Sequence, residues 1–165
     1  MKIYLIGMPG SGKSTLGRQL AEALRLPFVD LDAEIERLEG KAITDVFSQE
    51  GEEHFREVES KVLKSWADAP KEFVMATGGG APCFHQGIDV INASGLSVFL
   101  DVSVPELVRR LEKEEHRPLL QDADRTRRLE ELREKRLPVY QQAHLHIANE
   151  ATSFEEILQK VRARM

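Results

Sequence analysis

Gly7-Met8-Pro9-Gly10-Ser11-Gly12-Lys13-Ser14 decides the fold, and Thr15 follows it. The stretch fits G-x-x-x-x-G-K-[ST], the phosphate-binding loop pattern. Before it, Ile3-Tyr4-Leu5-Ile6 is short, apolar and β-prone; after it, Leu16, Leu20, Ala23 and Leu24 form one face of a helix. A strand, this loop and a helix in that order are the context that gives the pattern meaning. Glycines let successive N–H groups curl around an anion with no Cβ in the way. The helix N-terminus adds unpaired N–H groups and partial positive charge. Lys13 can reach the β- and γ-phosphates of a nucleotide, and the Ser14 hydroxyl can ligate Mg²⁺.

The chain has 165 residues, a net charge of −5, 41% hydrophobic and 31% charged residues. That length suggests one domain, 1–165, with a real core. An acidic protein that handles phosphate must concentrate its positive charge locally. This argues against a broad nucleic-acid surface and for a small anionic ligand. A lone cysteine, Cys83, excludes an internal disulfide and suits a reducing compartment. No signal peptide and no apolar run of membrane-spanning length is visible, so the expectation is a cytoplasmic protein with no membrane partner.

Strand and helix patterns alternate along the chain. Strands are predicted at 3–6, 28–32, 73–77, 96–100 and 144–147. Helices are predicted from the loop to about 25, then at 33–38, from 51 past Trp66, at 85–93, 105–114, 125–142 and 154–164. Thr44 is a candidate cap for a further short helix through Phe47. Pro138 should break or kink the helix that contains it. The polar stretch 116–124 reads as a loop. Such alternation predicts an α/β fold, a parallel sheet covered on both faces, with ligands beyond the carboxyl ends of the strands. The phosphate loop, Asp32 and the triple glycine 78–80 all fall at predicted strand ends.

Asp30 and Asp32 share one side of the second strand if it continues through them. One could hold a nucleotide-bound Mg²⁺ through water, and the other could accept or orient the proton of an attacking hydroxyl. The plainer alternative is a strand end with Asp32 as helix N-cap. Arg56 and Glu59 lie three apart on a helix and can pair. They make either a surface ion pair or a guanidinium held ready for a ligand carboxylate, whose geometry its planar fork matches. Gly78-Gly79-Gly80 costs entropy to order, which points to close backbone approach to a ligand. Arg117, beside Pro118 in the polar loop, could fold over a nucleotide and neutralise the transferring phosphoryl group. Arg136 competes with Arg133 on the same helical face. The run 112–115 reads as a solvated helix end. His144 and His146 are weak evidence for a metal, and Cys83 reads as a small hydrophobe.

Taken together, Gly7 to Thr15, Asp30-Leu31-Asp32, Phe55-Arg56-Glu57-Val58-Glu59, Thr77-Gly78-Gly79-Gly80-Ala81, Arg117-Pro118-Leu119-Leu120 and Arg136-Leu137-Pro138-Val139-Tyr140 resemble the shikimate kinase family, in the nucleoside monophosphate kinase-like group of P-loop proteins. The ordered set runs along nearly the whole chain. The resemblance implies a three-layer α-β-α fold with a five-stranded parallel sheet, a substrate-binding segment at about 31–60 and a lid at about 112–124. It implies ATP-dependent phosphorylation of the shikimate 3-hydroxyl, on the way to chorismate and the aromatic amino acids, by a monomer. ATP would lie on Gly10, Ser11, Gly12, Lys13, Ser14 and Thr15, with Arg110 stacking on adenine and Arg117 closing from the lid. Lys13, Asp32 and Arg117 would be catalytic. Shikimate would meet Asp32, Arg56, Gly78, Gly79, Gly80 and Arg136, a match that prefers Arg136 over Arg133. Mg²⁺ would sit on Ser14, with Asp30 acting through water. The family's second adenine contact, after the last strand, has no clear counterpart in Asn149-Glu150-Ala151-Thr152-Ser153. Related kinases acting on gluconate or a nucleoside monophosphate, and a nucleotide-dependent switch without carboxylate-gripping arginines, are the alternatives.

Overall fold

Ile3, Tyr4, Leu5 and Ile6 of the first strand are all fully buried, and successive side chains enter different cores. Ile3 and Leu5 pack in one cluster with Leu16, Leu20, Ile157, Leu158 and Val161. Tyr4 and Ile6 pack in another with Leu63, Ile91, Leu107 and Leu129. Strand alternation therefore feeds a helical layer on each face. The computed structural model describes residues 1–115, 122–148 and 150–165.

The order is β1 (Lys2–Ile6), α1 (Lys13–Leu24), β2 (Phe28–Asp30), α2 (Leu31–Glu39), α3 (Ile43–Asp68), β3 (Phe73–Ala76), a 3₁₀ turn (Ala81–Cys83), α4 (Gly87–Ser94), β4 (Leu96–Asp101), α5 (Val104–Glu115), α6 (Asp122–Tyr140), β5 (Leu145–Ala148) and α7 (Phe154–Arg162). The sheet has five strands in the order β2-β3-β1-β4-β5. Every pairing is parallel, with Leu5 opposite Ala76 on one side and Val98 on the other. This is the α/β architecture that the alternating pattern predicted. The central β1 has β3 and β4 as its two neighbours, so a crevice opens at its carboxyl end, where the phosphate loop begins.

Local chemistry revises three boundaries. The second strand stops at Asp30, whose carboxylate accepts the Ala33 N–H and caps α2; Asp32 is therefore in the first helical turn and is not the cap. Ala42, with extended backbone, precedes α3 and makes no side-chain cap, so Thr44 lies inside the helix. The expected separate helices around Gly51 form one run broken at that residue, at φ 88° and ψ 167°. Only glycine takes that φ without strain. Across the break, His54 Nε2 lies 2.7 Å from a Glu39 carboxylate oxygen and 3.2 Å from one of Glu50, tying the end of α2 to α3. Pro138 does not end α6, which continues to Tyr140. The amide it lacks would donate to the carbonyl four residues back, so the helix gives up one ladder bond two residues before its end.

The two histidines of the last strand region are engaged by protein. His144 Nδ1 accepts the Ser97 N–H at 3.1 Å, and His146 Nε2 lies 3.0 Å from the Gln141 carbonyl. Among the described residues no helix is long and apolar enough to cross a membrane.

Candidate active site

The phosphate loop takes its shape from three glycines in left-handed conformations, Gly7 (φ 148°), Gly10 (φ 82°) and Gly12 (φ 92°). Gly12 sits at the N-cap of α1. The Lys13 ammonium folds back over the loop and donates to the Gly7 and Met8 carbonyls at 2.8 and 2.9 Å. Burial is the main reason its pKa drops to about 8, and Asp32 partly opposes the fall. Ser14 and Thr15 are exposed on the first turn of α1 and face a cleft of about 870 Å³. Gly10, Gly12, Asp30, Asp32, Gly78, Gly79 and Arg110 line the same cleft. Ser11 is fully buried beneath the loop.

Along the same cleft, each glycine of the 78–80 turn leaves room for a different group. A Cβ at Gly78 would stand 3.0 Å from an Asp32 carboxylate oxygen and 3.1 Å from one of Glu59. One at Gly79 would stand 2.8 Å from the Arg136 guanidinium and 2.9 Å from the Pro9 ring. At Gly80 it would collide with the Arg56 guanidinium. None of the three has a positive φ, so the requirement is space and not backbone conformation. The turn thus gathers side chains from α2, α3, α6 and the phosphate loop at one point.

Arg56 is 9% exposed and Glu59 2% exposed. The Arg56 guanidinium donates to a Glu59 oxygen at 3.0 Å, meets Glu52 at 3.5 Å and lies 4.1 Å from the Phe84 ring centre. A held, half-stacked guanidinium presents its remaining donors in a fixed direction. Burial pushes the Glu59 carboxyl up, and Arg56 pulls it back. Asp32 is likewise raised by burial first and by Asp30 second, with Lys13 opposing. Arg133 is occupied elsewhere, since its guanidinium meets the Asp101 carboxylate at 2.5 Å. Arg136, one turn on, is the arginine that lies against Gly79.

Arg110 spans the cleft rim. Its guanidinium donates to Glu106 at 3.1 Å and to the Gly10 carbonyl at 3.3 Å. Gln19, Lys113, Thr152, Phe154 and Ile157 line the cleft too, and none of them belongs to a motif that marks a site. Lys113 belongs to the run 112–115 that reads as a solvated helix end, yet it stands one turn after Arg110, a spacing that signals a shared face. Thr152 donates to the Ala148 carbonyl at 2.8 Å, and with Phe154 it forms the wall where the sequence showed no adenine contact. No local signal marks these two. Cys83 is half-buried with its thiol pKa raised, chiefly by desolvation. Arg117 and residues 116–121 of the expected lid lie outside the described residues.

Comparison with known proteins gives a consistent picture. Residues 9–165 match the family model for shikimate kinase. A shikimate kinase of Clostridium botulinum (strain Langeland) is 41% identical over 158 residues, covering 94% of this chain and 91% of its own length. The crystal structure of shikimate kinase from Bacteroides thetaiotaomicron superposes with a TM-score of 0.87 at 33% identity, covering 99% of this chain and 97% of its own. Shikimate kinase from Acinetobacter baumannii, solved in complex with shikimate, superposes with a TM-score of 0.85 at 36% identity, covering 99% and 91%.

Proposed function

Since the chain belongs to the shikimate kinase family, we propose that its cleft works as two half-sites joined at the 78–80 turn. The protein is a phosphotransferase that moves the γ-phosphoryl group of ATP to the 3-hydroxyl of shikimate, in the synthesis of chorismate and aromatic amino acids. The observation that carries the site reading is the convergence of Asp32, Arg56, Glu59 and Arg136 on the triple glycine, with Pro9 of the phosphate loop touching the same turn.

ATP lies with its phosphates on Gly10, Ser11, Gly12, Lys13, Ser14 and Thr15 and its base toward Arg110, Thr152 and Phe154. Shikimate's carboxylate is gripped by Arg56 and Arg136, and Gly79 offers a backbone N–H. Asp32 orients the 3-hydroxyl for in-line attack and takes its proton as the O–P bond forms. Burial raises Asp32's affinity for that proton, which suits the base role. Lys13 turns from the Gly7 and Met8 carbonyls to the phosphates and follows the charge onto the leaving diphosphate. The transition state is loose, so positioning and charge neutralisation do most of the work.

The donors near the phosphates are hard oxygens, the Ser14 hydroxyl and the Asp30 carboxylate, and that set fits Mg²⁺. When bound, Mg²⁺ neutralises charge on the β- and γ-phosphate oxygens. Ser14 would hold it directly and Asp30 through water. We further propose that residues 1–165 act as one kinase domain, as a cytoplasmic monomer, with Arg117 of the lid contributing to catalysis as the family resemblance implies.

A coupled assay of ADP release with shikimate, gluconate and CMP as acceptors tests the reading. ADP release stimulated by shikimate alone is expected. Stimulation by gluconate or CMP and none by shikimate would overturn it, and absence of heat on titrating shikimate into the nucleotide-loaded protein would favour a switch.

A further inference from the structure

Three consecutive glycines have more backbone freedom than any other tripeptide, so something outside the turn must hold it. Backbone bonds hold its two ends: the Gly78 carbonyl accepts the Ala81 N–H at 3.1 Å, and the Gly80 carbonyl accepts the Cys83 N–H at 2.9 Å. The Gly79 carbonyl between them is held by a side chain. The Tyr140 hydroxyl donates to it at 2.6 Å, the one side-chain hydrogen bond to the turn among the described residues.

Tyr140 is a rigid anchor. It is fully buried, and its ring lies 5.1 Å from that of Phe99 on β4. Burial pushes its hydroxyl up to about 12, so it remains a donor across the neutral range. Tyr140 also stands one helical turn after Arg136, whose nearby charge lowers the hydroxyl's pKa against the effect of burial. The same guanidinium lies against Gly79. Holding the Gly79 carbonyl fixes the plane of the Gly79–Gly80 peptide, and a trans peptide points its N–H opposite to its carbonyl. The N–H groups of Gly79 and Gly80 donate to no acceptor among the described residues, so their direction is available to a ligand.

We propose that Tyr140 is a positioning residue for the acceptor: its hydroxyl locks the Gly79 carbonyl, and with it the plane of the Gly80 N–H, and keeps Arg136 in register with the turn, so that the guanidinium and the Gly80 N–H meet one carboxylate together. The proposal rests on the reading of Arg136 as a carboxylate-binding group. Tyr140 itself touches no substrate.

Steady-state kinetics of Tyr140→Phe, Phe99→Leu, Arg136→Ala and the Arg136→Ala/Tyr140→Phe double variant test it. Tyr140→Phe removes one oxygen and keeps the ring. The expected result is a shikimate KM raised about tenfold, equivalent to about 1.4 kcal/mol, with the ATP KM within about twofold and kcat within about threefold. In the Arg136→Ala background the same change should have less than about a twofold effect, since neighbours that act together are not additive. Phe99→Leu loosens the packing around Tyr140 but keeps its bond. If it shifts the shikimate KM as Tyr140→Phe does, the role is packing and the proposal fails. It fails also if Tyr140→Phe moves both KM values alike, or leaves the shikimate KM unchanged while Arg136→Ala raises it. Arg136→Ala without effect on the shikimate KM would instead overturn the carboxylate reading, and this proposal with it.

Discussion

Arg56 sits where a long cation is usually absent, 9% exposed, with Glu59 beneath it and the Phe84 ring alongside. Taking a guanidinium out of water is costly unless it is paired, and with Glu59 accepting one N–H and Glu52 standing 3.5 Å from Nε, part of its fork is left without a hydrogen bond. On the proposed reading, the shikimate carboxylate takes up the rest. Charge-assisted bonds of this kind are worth about 1.5–3 kcal/mol. Arg56→Ala should therefore raise the shikimate KM by about 10- to 100-fold and leave the ATP KM within about twofold. Calorimetric titration of shikimate into the variant checks it, and unchanged affinity would refute the assignment. Lys13 gives a pH signature. Its folded value of about 8 lies below the ordinary lysine value of about 10.4. Between those values the unfolded chain holds the extra proton, so this group's contribution to stability rises with pH across that window. Bound phosphates favour the cation and reverse the shift. Nucleotide binding at pH 8 should then take up about half a proton, and affinity should fall as pH rises further. Titration in two buffers of different ionisation enthalpy reads that uptake directly, and heats that do not depend on the buffer would count against it.

At the scale of elements, the 78–80 turn is a junction where four segments meet because side chains are missing. A methyl at Gly80 would collide with Arg56, whose guanidinium is fixed by Glu59 and by the Phe84 ring and cannot simply swing away. Gly80→Ala should weaken shikimate binding by at least about tenfold and leave nucleotide binding within about twofold, since the added methyl meets Arg56 and not the phosphate loop. Fluorescence titration with a nucleotide analogue, beside shikimate calorimetry, separates the two effects. Equal loss of both would mean that the turn supports the whole cleft and not the acceptor half. The break at Gly51 belongs to the same scale. It bends α3 between the stretch packed on α2 and the stretch that carries Arg56, and His54 bridges the gap to Glu39 and Glu50. The acceptor-binding helix is thus braced from its own N-terminal side.

For the whole molecule, two half-sites on one sheet edge predict linkage between substrate binding and folding. A ligand that binds only the folded state stabilises it by RT ln(1 + [L]/Kd), about 2.7 kcal/mol at a hundredfold excess over Kd. For a chain of this size that is roughly a 5–10 °C rise in Tm. Shikimate should produce it in the parent protein and not in Arg56→Ala; a rise of equal size in both would place the ligand elsewhere. The phosphate loop was legible in the sequence because its parts are contiguous: the glycines, Lys13 and Ser14 act through local backbone conformation and one helix end. The parallel sheet was legible because alternating strand and helix patterns leave few other architectures. Asp30 as the cap of α2 was missed by two positions, since a strand running on and a helix beginning present the same acidic and apolar residues. Helical spacing left Arg133 and Arg136 on one face, and the family resemblance preferred Arg136 before any contact was seen. In the structure Arg133 meets Asp101, and Arg136 lies against Gly79. Thr152 and Phe154 stand far along the chain from Gly12, and only the placement of α7 beside α1 puts them on the same cleft. The sequence by itself determined the donor half of the site and the class of fold, which depend on residues adjacent in the chain. The tertiary structure decided which glycine makes room for which side chain, because strand order and helix packing bring together residues that no local pattern relates.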